Sequence, residues 1–183
     1  MFWTVTRTLL EGFGTTVEIF ALTLVFALPL GLVVAAGSMS KWAPFRGLAR
    51  ENSPGWIRAL ASLRPISAVV ELVVWVIRGT PLLVQLFVVF YGLPHVGILI
   101  DAFPAAILVF SINQGAYCAE TIRAALESVP VGQLEAAECA GLSWAQSIRR
   151  IVLPQALRTA FPPLSNSLIG MVKDTSLAAN ITV

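Results

Sequence analysis

The sequence predicts an all-α, polytopic membrane helix bundle, and three observations lead there. Of its 183 residues, 57% are hydrophobic and only 12% are charged, about half the charged share of an ordinary soluble domain. The apolar residues come in long blocks instead of one-face stripes, and a helix that is apolar all round lies in lipid or deep in a core. Lys and Arg gather in alternate connections between those blocks, which is how membrane proteins set their sidedness. The net charge of +2 is too small to imply nucleic acid. Cys118 falls in an expected span and Cys139 in an expected cytoplasmic connection, which argues against a disulfide; no pair has metal-ligand spacing and His95 is the only histidine, so no metal site is expected.

Crossing hydrocarbon takes about 20 apolar residues in a helix. The first candidate is 16–38, broken only by Glu18. It is too long for the core of a secretory signal, and Arg7 and Glu11 ahead of it are not net basic. The second is 69–91, interrupted by Arg78-Gly79-Thr80-Pro81. Whole, it would reach about 35 Å at about 1.5 Å per residue, whereas each half alone is too short to cross. One long helix is therefore expected, kinked where Pro81 removes a hydrogen bond and crowds the preceding turn. The third, 103–122, carries Asn113, Gln114, Tyr117 and Glu120. The fourth, 164–181, encloses Lys173-Asp174-Thr175-Ser176 and is the least apolar. All four belong to one transmembrane domain over 1–183.

Residues 39–65 hold Lys41, Arg46, Arg50, Arg58 and Arg64, and 123–160 hold Arg123, Arg149, Arg150 and Arg158; residues 92–102 hold no Lys or Arg. Positive charge stays inside, so the first and third connections are cytoplasmic, the second is external and the N-terminus faces out. Trp3, Trp42 and Tyr91 read as interfacial anchors, and 56–63 as a short interfacial helix.

The connection 123–160 is organised. Ser128-Val129-Pro130 suits a helix start, with the helix running through Gln133-Leu134-Glu135-Ala136-Ala137-Glu138-Cys139-Ala140. Gly141 suits the left-handed residue that ends it. Ser143 then caps a second helix over 144–153, which Pro154 and Gln155 close or kink. The result is a helix–turn–helix. Its spacing is Glu135-Ala136-Ala137, three residues, Gly141, nine residues, Ile151, one residue, Leu153-Pro154.

That pattern closely resembles the EAA loop of ABC-transporter permeases, with every fixed position matched. Glu71-Leu72-Val73-Val74-Trp75-Val76-Ile77-Arg78-Gly79-Thr80-Pro81-Leu82-Leu83-Val84-Gln85 resembles the "E…RGTPLLVQL" segment of their polar amino-acid subgroup. Ser111-Ile112-Asn113-Gln114-Gly115-Ala116-Tyr117-Cys118-Ala119-Glu120 is similar to its "SLNxGAYxAE" segment, and the region from Leu153-Pro154-Gln155 to Lys173-Asp174-Thr175-Ser176-Leu177 to its "LPQALR…PPLxN…KDTSL" region. The resemblance covers about 71–177 and implies a type I ABC importer permease in the inner membrane. Such permeases have about five core spans where four are expected here, so either the natural chain carries a further helix or it departs from the family pattern. It implies that Glu135, Ala136, Ala137, Gly141, Ile151, Leu153 and Pro154 couple to a separate ATPase carrying the ATP and Mg, with no cofactor on this chain. A second permease subunit, an extracytoplasmic binding protein and a polar amino acid as cargo are the further partners implied. Ala136 and Ala137 would let a helix lie closely in the partner's groove, and Glu135 would meet a basic or donor-rich wall.

Ionisable groups at membrane depth are costly and face protein or water. Glu120 either pairs with Arg123 at i+3 or binds a substrate amine. Arg78 pairs with Glu71 or borders a pathway. Lys173 and Asp174 suit an intramolecular pair or a contact to a second subunit. Asn113 and Gln114 either bridge helices or line a cavity, and Thr80 sits at a helix break of the kind that borders transport cavities. The chain has no phosphate-binding loop, since neither Lys41 nor Lys173 follows the needed glycines, and no G-x-S-x-G or H-E-x-x-H. It is expected not to be an enzyme. Uptake driven by an ion gradient through Glu120 or Asp174, without any ATPase, is the alternative.

Overall fold

The computed structural model describes residues 2–40 and 64–181. The interfacial helix expected at 56–63, with Trp42, Lys41, Arg46, Arg50 and Arg58, lies outside them. The described elements are α1 (Phe2–Ser38), α2 (Pro65–Gly79), α3 (Leu82–Phe87) and α4 (Ala102–Glu127), then α5 (Val131–Cys139), α6 (Trp144–Ser147) and α7 (Leu153–Asp174). A π turn (Val88–Gly92) and a 3-10 turn (Leu93–Val96) extend α3, a second π turn (Ile148–Val152) joins α6 to α7, and a 3-10 turn (Thr175–Ile181) follows α7.

α4 is the central post. Twelve of its residues are buried, and α1, α2, α3 and α7 all pack on it. Against it α1 presents one stripe, Ile19, Thr23, Ala27, Gly31 and Ala35, all buried. Spacing of four puts them on one face of a helix. The stripe is mostly small, and small residues let backbones approach closely where lipid supplies no hydrophobic drive for association. A Cβ on Gly31 would lie 2.7 Å from Cys118 Cβ and 3.1 Å from the Gly115 carbonyl; one on Gly115 would lie 2.9 Å from Leu30 Cδ2. At the other end Ile19 packs with Ala105, Ala106, Val109 and Phe110. The two helices therefore run in the same direction, and their N-termini lie on the same side of the bundle.

The second expected span is not one kinked helix. Pro65–Gly79 and Leu82–Val96 meet at 103°. Pro81 excludes the helical conformation from the residue before it, and Thr80 (φ −110°, ψ 141°) and Pro81 (φ −60°, ψ 135°) are both extended. Two consecutive extended residues make a break where a lone kink leaves the helix continuous. Among the described residues two helices are long and apolar enough to cross a membrane, Trp3–Ser38 and Ala102–Glu127, and the bent pair adds a third if it counts as one span. The first runs well ahead of the expected 16–38. The segment 164–181 divides between the end of α7 and the 3-10 turn.

Gly31→Ala is expected to lower the unfolding midpoint of the detergent-solubilised protein, because overpacking at a backbone contact costs about 1–3 kcal/mol. Gly12→Ala in the same helix, where a Cβ meets nothing within 4 Å, leaves the midpoint unchanged or slightly higher.

Candidate functional site

Two places carry the expected functional residues: the loop after α4 and a polar cleft at the break between α2 and α3.

In the loop, extended Pro130 delivers the chain into α5. α5 ends in a Schellman turn. The Leu142 amide donates to the Ala137 carbonyl (3.0 Å) and the Gly141 amide to that of Glu138 (2.9 Å), with Gly141 at φ +74°. Ser143 caps α6 through a reciprocal box: the Gln146 amide donates to Ser143 Oγ (3.4 Å) and the Ser143 amide to Gln146 Oε1 (2.9 Å). This box satisfies two otherwise orphaned donors. Pro154 does not close the second helix. The Leu153 amide reaches back five residues to the Ile148 carbonyl, and this wider turn seats Pro154 in the first turn of α7, where its missing N–H is tolerated. Helical structure thus continues from Trp144 to Asp174.

Glu135, Ala136, Gly141, Leu153 and Pro154 are exposed, and Ile151 is half-buried. Ala137 departs from expectation. It is 2% exposed, because one turn of α5 must face the π segment that supports it. Ala137 packs the loop internally, and Ala136 is the alanine left to face outward. Trp144 was not singled out by its sequence, yet it is 77% exposed. The signal was the cap itself, since a Ser143 cap sets Trp144 at the first helical position, projecting from the loop.

At the break, Gln85 is the residue that sequence reasoning missed. Its Nε2 donates to the carbonyls of Ile77 (2.6 Å) and Thr80 (3.1 Å) and to Thr80 Oγ1 (2.7 Å). Its Oε1 accepts from Asn113 Nδ2 (3.2 Å). Thr80 Oγ1 donates to the Val76 carbonyl (2.9 Å). A glutamine just past a helix-breaking proline, in an otherwise apolar run, was the available clue. Gln114 Nε2 donates to Ser167 Oγ on α7 (2.8 Å), so both amides of α4 bridge helices. Thr80, Asn113 and Gln114 also wall a cleft of about 580 Å³, with Arg78, Ser167 and Asp174.

Glu120 lies elsewhere. It borders a separate cleft of about 320 Å³ with Glu71, Arg78 and Arg123. Arg123 Nη2 binds its Oε1 at 2.6 Å and Arg78 Nη1 stands 3.8 Å from the same atom. Arg123 also binds Glu127 at 2.8 Å. The Glu120 carboxylate is thus paired with arginines, as the i+3 reading expects. Arg78 takes Glu120 as its carboxylate, not Glu71, and lies over the Tyr117 ring, 5.2 Å from its centroid, a cation–π distance. Among the described residues no ion pair joins Lys173 to Asp174, and no cluster of three or more His, Cys, Asp or Glu is placed to hold a metal. What the two places offer is a rigid protruding bracket and a cleft lined by hydrogen-bonding groups.

A protruding loop on a bundle of membrane helices around a polar cleft defines a membrane transport component, and the chain belongs to the family of binding-protein-dependent transport system inner membrane components, which it matches over residues 54–183. It is 40% identical over 182 residues to the L-cystine transport system permease protein of Bacillus subtilis (strain 168), covering 100% of this chain and 68% of that one. It is 45% identical over 119 residues to the octopine transport system permease protein of Rhizobium radiobacter, covering 60% and 49%. Its fold matches the crystal structure of an amino acid ABC transporter at TM-score 0.81 and 32% identity, over 100% of this chain and 75% of that one. Proteins of this family are transport subunits, and the chain is not an enzyme.

Gly141→Ala forces a side chain into the left-handed turn, which costs about 1–2 kcal/mol. Amide exchange across 136–142 is expected to accelerate about 5–30-fold, with α4 unaffected.

Proposed function

We propose that this chain is the permease half of an ATP-driven importer of a polar amino acid. It sits in the inner membrane with its N-terminus outside and works with a second permease subunit, an extracytoplasmic binding protein and a separate ATPase that holds ATP and Mg. The observation that carries this reading is the bracket of α5 and α6. Its Schellman turn and capping box hold Glu135, Ala136, Leu153 and Pro154 outward at the spacing of the EAA pattern. Supporting the orientation, α1 and α4 run in parallel, so the N-terminus shares a side with 92–102, which lacks Lys and Arg, while Arg149, Arg150 and the bracket lie at the other end. Two ATPase subunits closing on ATP would draw two such brackets together, and the attached helices would rock to open the cleft outward. Thr80, Asn113 and Gln114 would then border the substrate pathway.

The test is reconstitution with the neighbouring ATPase and binding protein, reading ATP-dependent amino-acid uptake. Glu135→Lys is expected to abolish uptake while the permease remains inserted and folded. Uptake that persists without any ATPase under a proton gradient would establish the ion-driven alternative instead.

A further inference from the structure

The hydrogen bonds at the helix break fix more than the backbone. Gln85 Nε2 lies 2.6 Å from the Ile77 carbonyl and 3.1 Å from the Thr80 carbonyl. Carbonyl oxygens only accept, so the NH₂ edge of Gln85 must face them and its Oε1 must face away. That oxygen is the atom 3.2 Å from Asn113. Asn113 must therefore turn its own NH₂ toward Gln85, because two amide oxygens face to face would repel. The orientation follows from the hydrogen-bond network, anchored on the two backbone carbonyls.

The other edge of Asn113 is then settled. Asn113 is 9% exposed, and among the described residues nothing donates to its Oδ1. Nor is that oxygen one of the sealed, unpartnered atoms, which are Thr23 Oγ1 and Ser111 Oγ. It reaches open space, and the cleft that Asn113 walls is the one of about 580 Å³.

We infer that Gln85 is a positioning residue that holds Asn113 with its carbonyl oxygen, not its NH₂, facing the polar cleft, so that the cleft receives an N–H donor of its cargo at that point. The cargo half of this inference rests on the proposed import function; the positioning half does not. An ammonium or a side-chain amide supplies such a donor. A ligand offering only acceptors there would meet an oxygen locked against it, since Asn113 could turn its NH₂ inward only by breaking the contact with Gln85. The device is local: the same side chain that satisfies the carbonyls freed at the break sets the polarity of the wall opposite.

The orientation is tested without transport, by a thermal-unfolding cycle on the detergent-solubilised full chain with Asn113→Asp, Gln85→Met and the double variant. A carboxylate facing Gln85 Oε1 is repelled while it is ionised, so at alkaline pH Asn113→Asp is expected to lower the midpoint more in the wild-type background than in Gln85→Met. Equal drops, or a smaller drop with Gln85 present, would mean that Asn113 faces the other way and would overturn the inference. The cargo half is tested by binding of three probes to the same sample: L-glutamine, L-glutamic acid γ-methyl ester, in which OCH₃ replaces the side-chain NH₂, and N-acetyl-L-glutamine, which lacks the ammonium. Wild type is expected to bind one analogue about tenfold more weakly than L-glutamine, and the gap to narrow in Gln85→Met. Equal binding of all three, binding of none, or a gap indifferent to Gln85→Met would overturn it. Failure of ATP-dependent uptake would leave the unfolding cycle untouched and would count against the import reading alone.

Discussion

The bundle depends on the contact between Gly31 of α1 and the Gly115–Ala119 stretch of α4. Lipid tails are as apolar as leucine, so helices in a membrane gain little by hiding from them and must instead pack closely. The glycines make that possible, leaving no room for a Cβ on either side. The contact also fixes how α4 is turned about its axis. At about 100° per residue, Asn113, Tyr117 and Glu120 fall on the face opposite Gly115 and Cys118. Docking one face of α4 on α1 thus delivers its polar face to the break between α2 and α3 and to α7.

That break answers a second constraint. Where water is absent, every backbone polar group needs a partner inside the protein. Two extended residues at Thr80 and Pro81 free carbonyls that an intact helix would have used. Gln85 and the Thr80 hydroxyl take them up, which is why the chain can turn through 103° without stranding them. The same polar face of α4 carries Glu120, whose arginines lie on α2 and on α4 itself. Hydrogen bonds and ion pairs thus tie α2 to α4 on the side away from α1.

What was legible in the sequence divides along the reach of the interactions. The bracket could be read almost residue by residue, because a left-handed Gly141 and a capping Ser143 act over four or five neighbours. The stretch of α1 ahead of 16–38 was missed because hydropathy registers lipid and not helix. Whether Pro81 kinks or breaks its helix turns on a partner, Gln85, that sits eight residues from Ile77, and spacing alone does not reveal which carbonyls it serves. Ala136 and Ala137 are the same residue type at adjacent positions, and only the packing of α5 on the π turn decides which of them faces out. The stripe Ile19, Thr23, Ala27, Gly31, Ala35 was there to be read at a spacing of four, hidden inside a run whose apolarity drew all the attention.

The uninterrupted helical path through Pro154 has a mechanical consequence. From Trp144 to Asp174 the backbone stays helical, through the π turn and past Pro162 and Pro163, a path of about 45 Å at about 1.5 Å per residue. Trp144 stands exposed at one end, and Asn166, Ser167, Gly170 and Asp174 form a cleft wall at the other. Because no loop interrupts this path, a displacement at the bracket would be passed along helix to the cleft wall. The hydrogen bond from Gln114 to Ser167 lies where α7 meets α4, and any sliding of one against the other would have to break it.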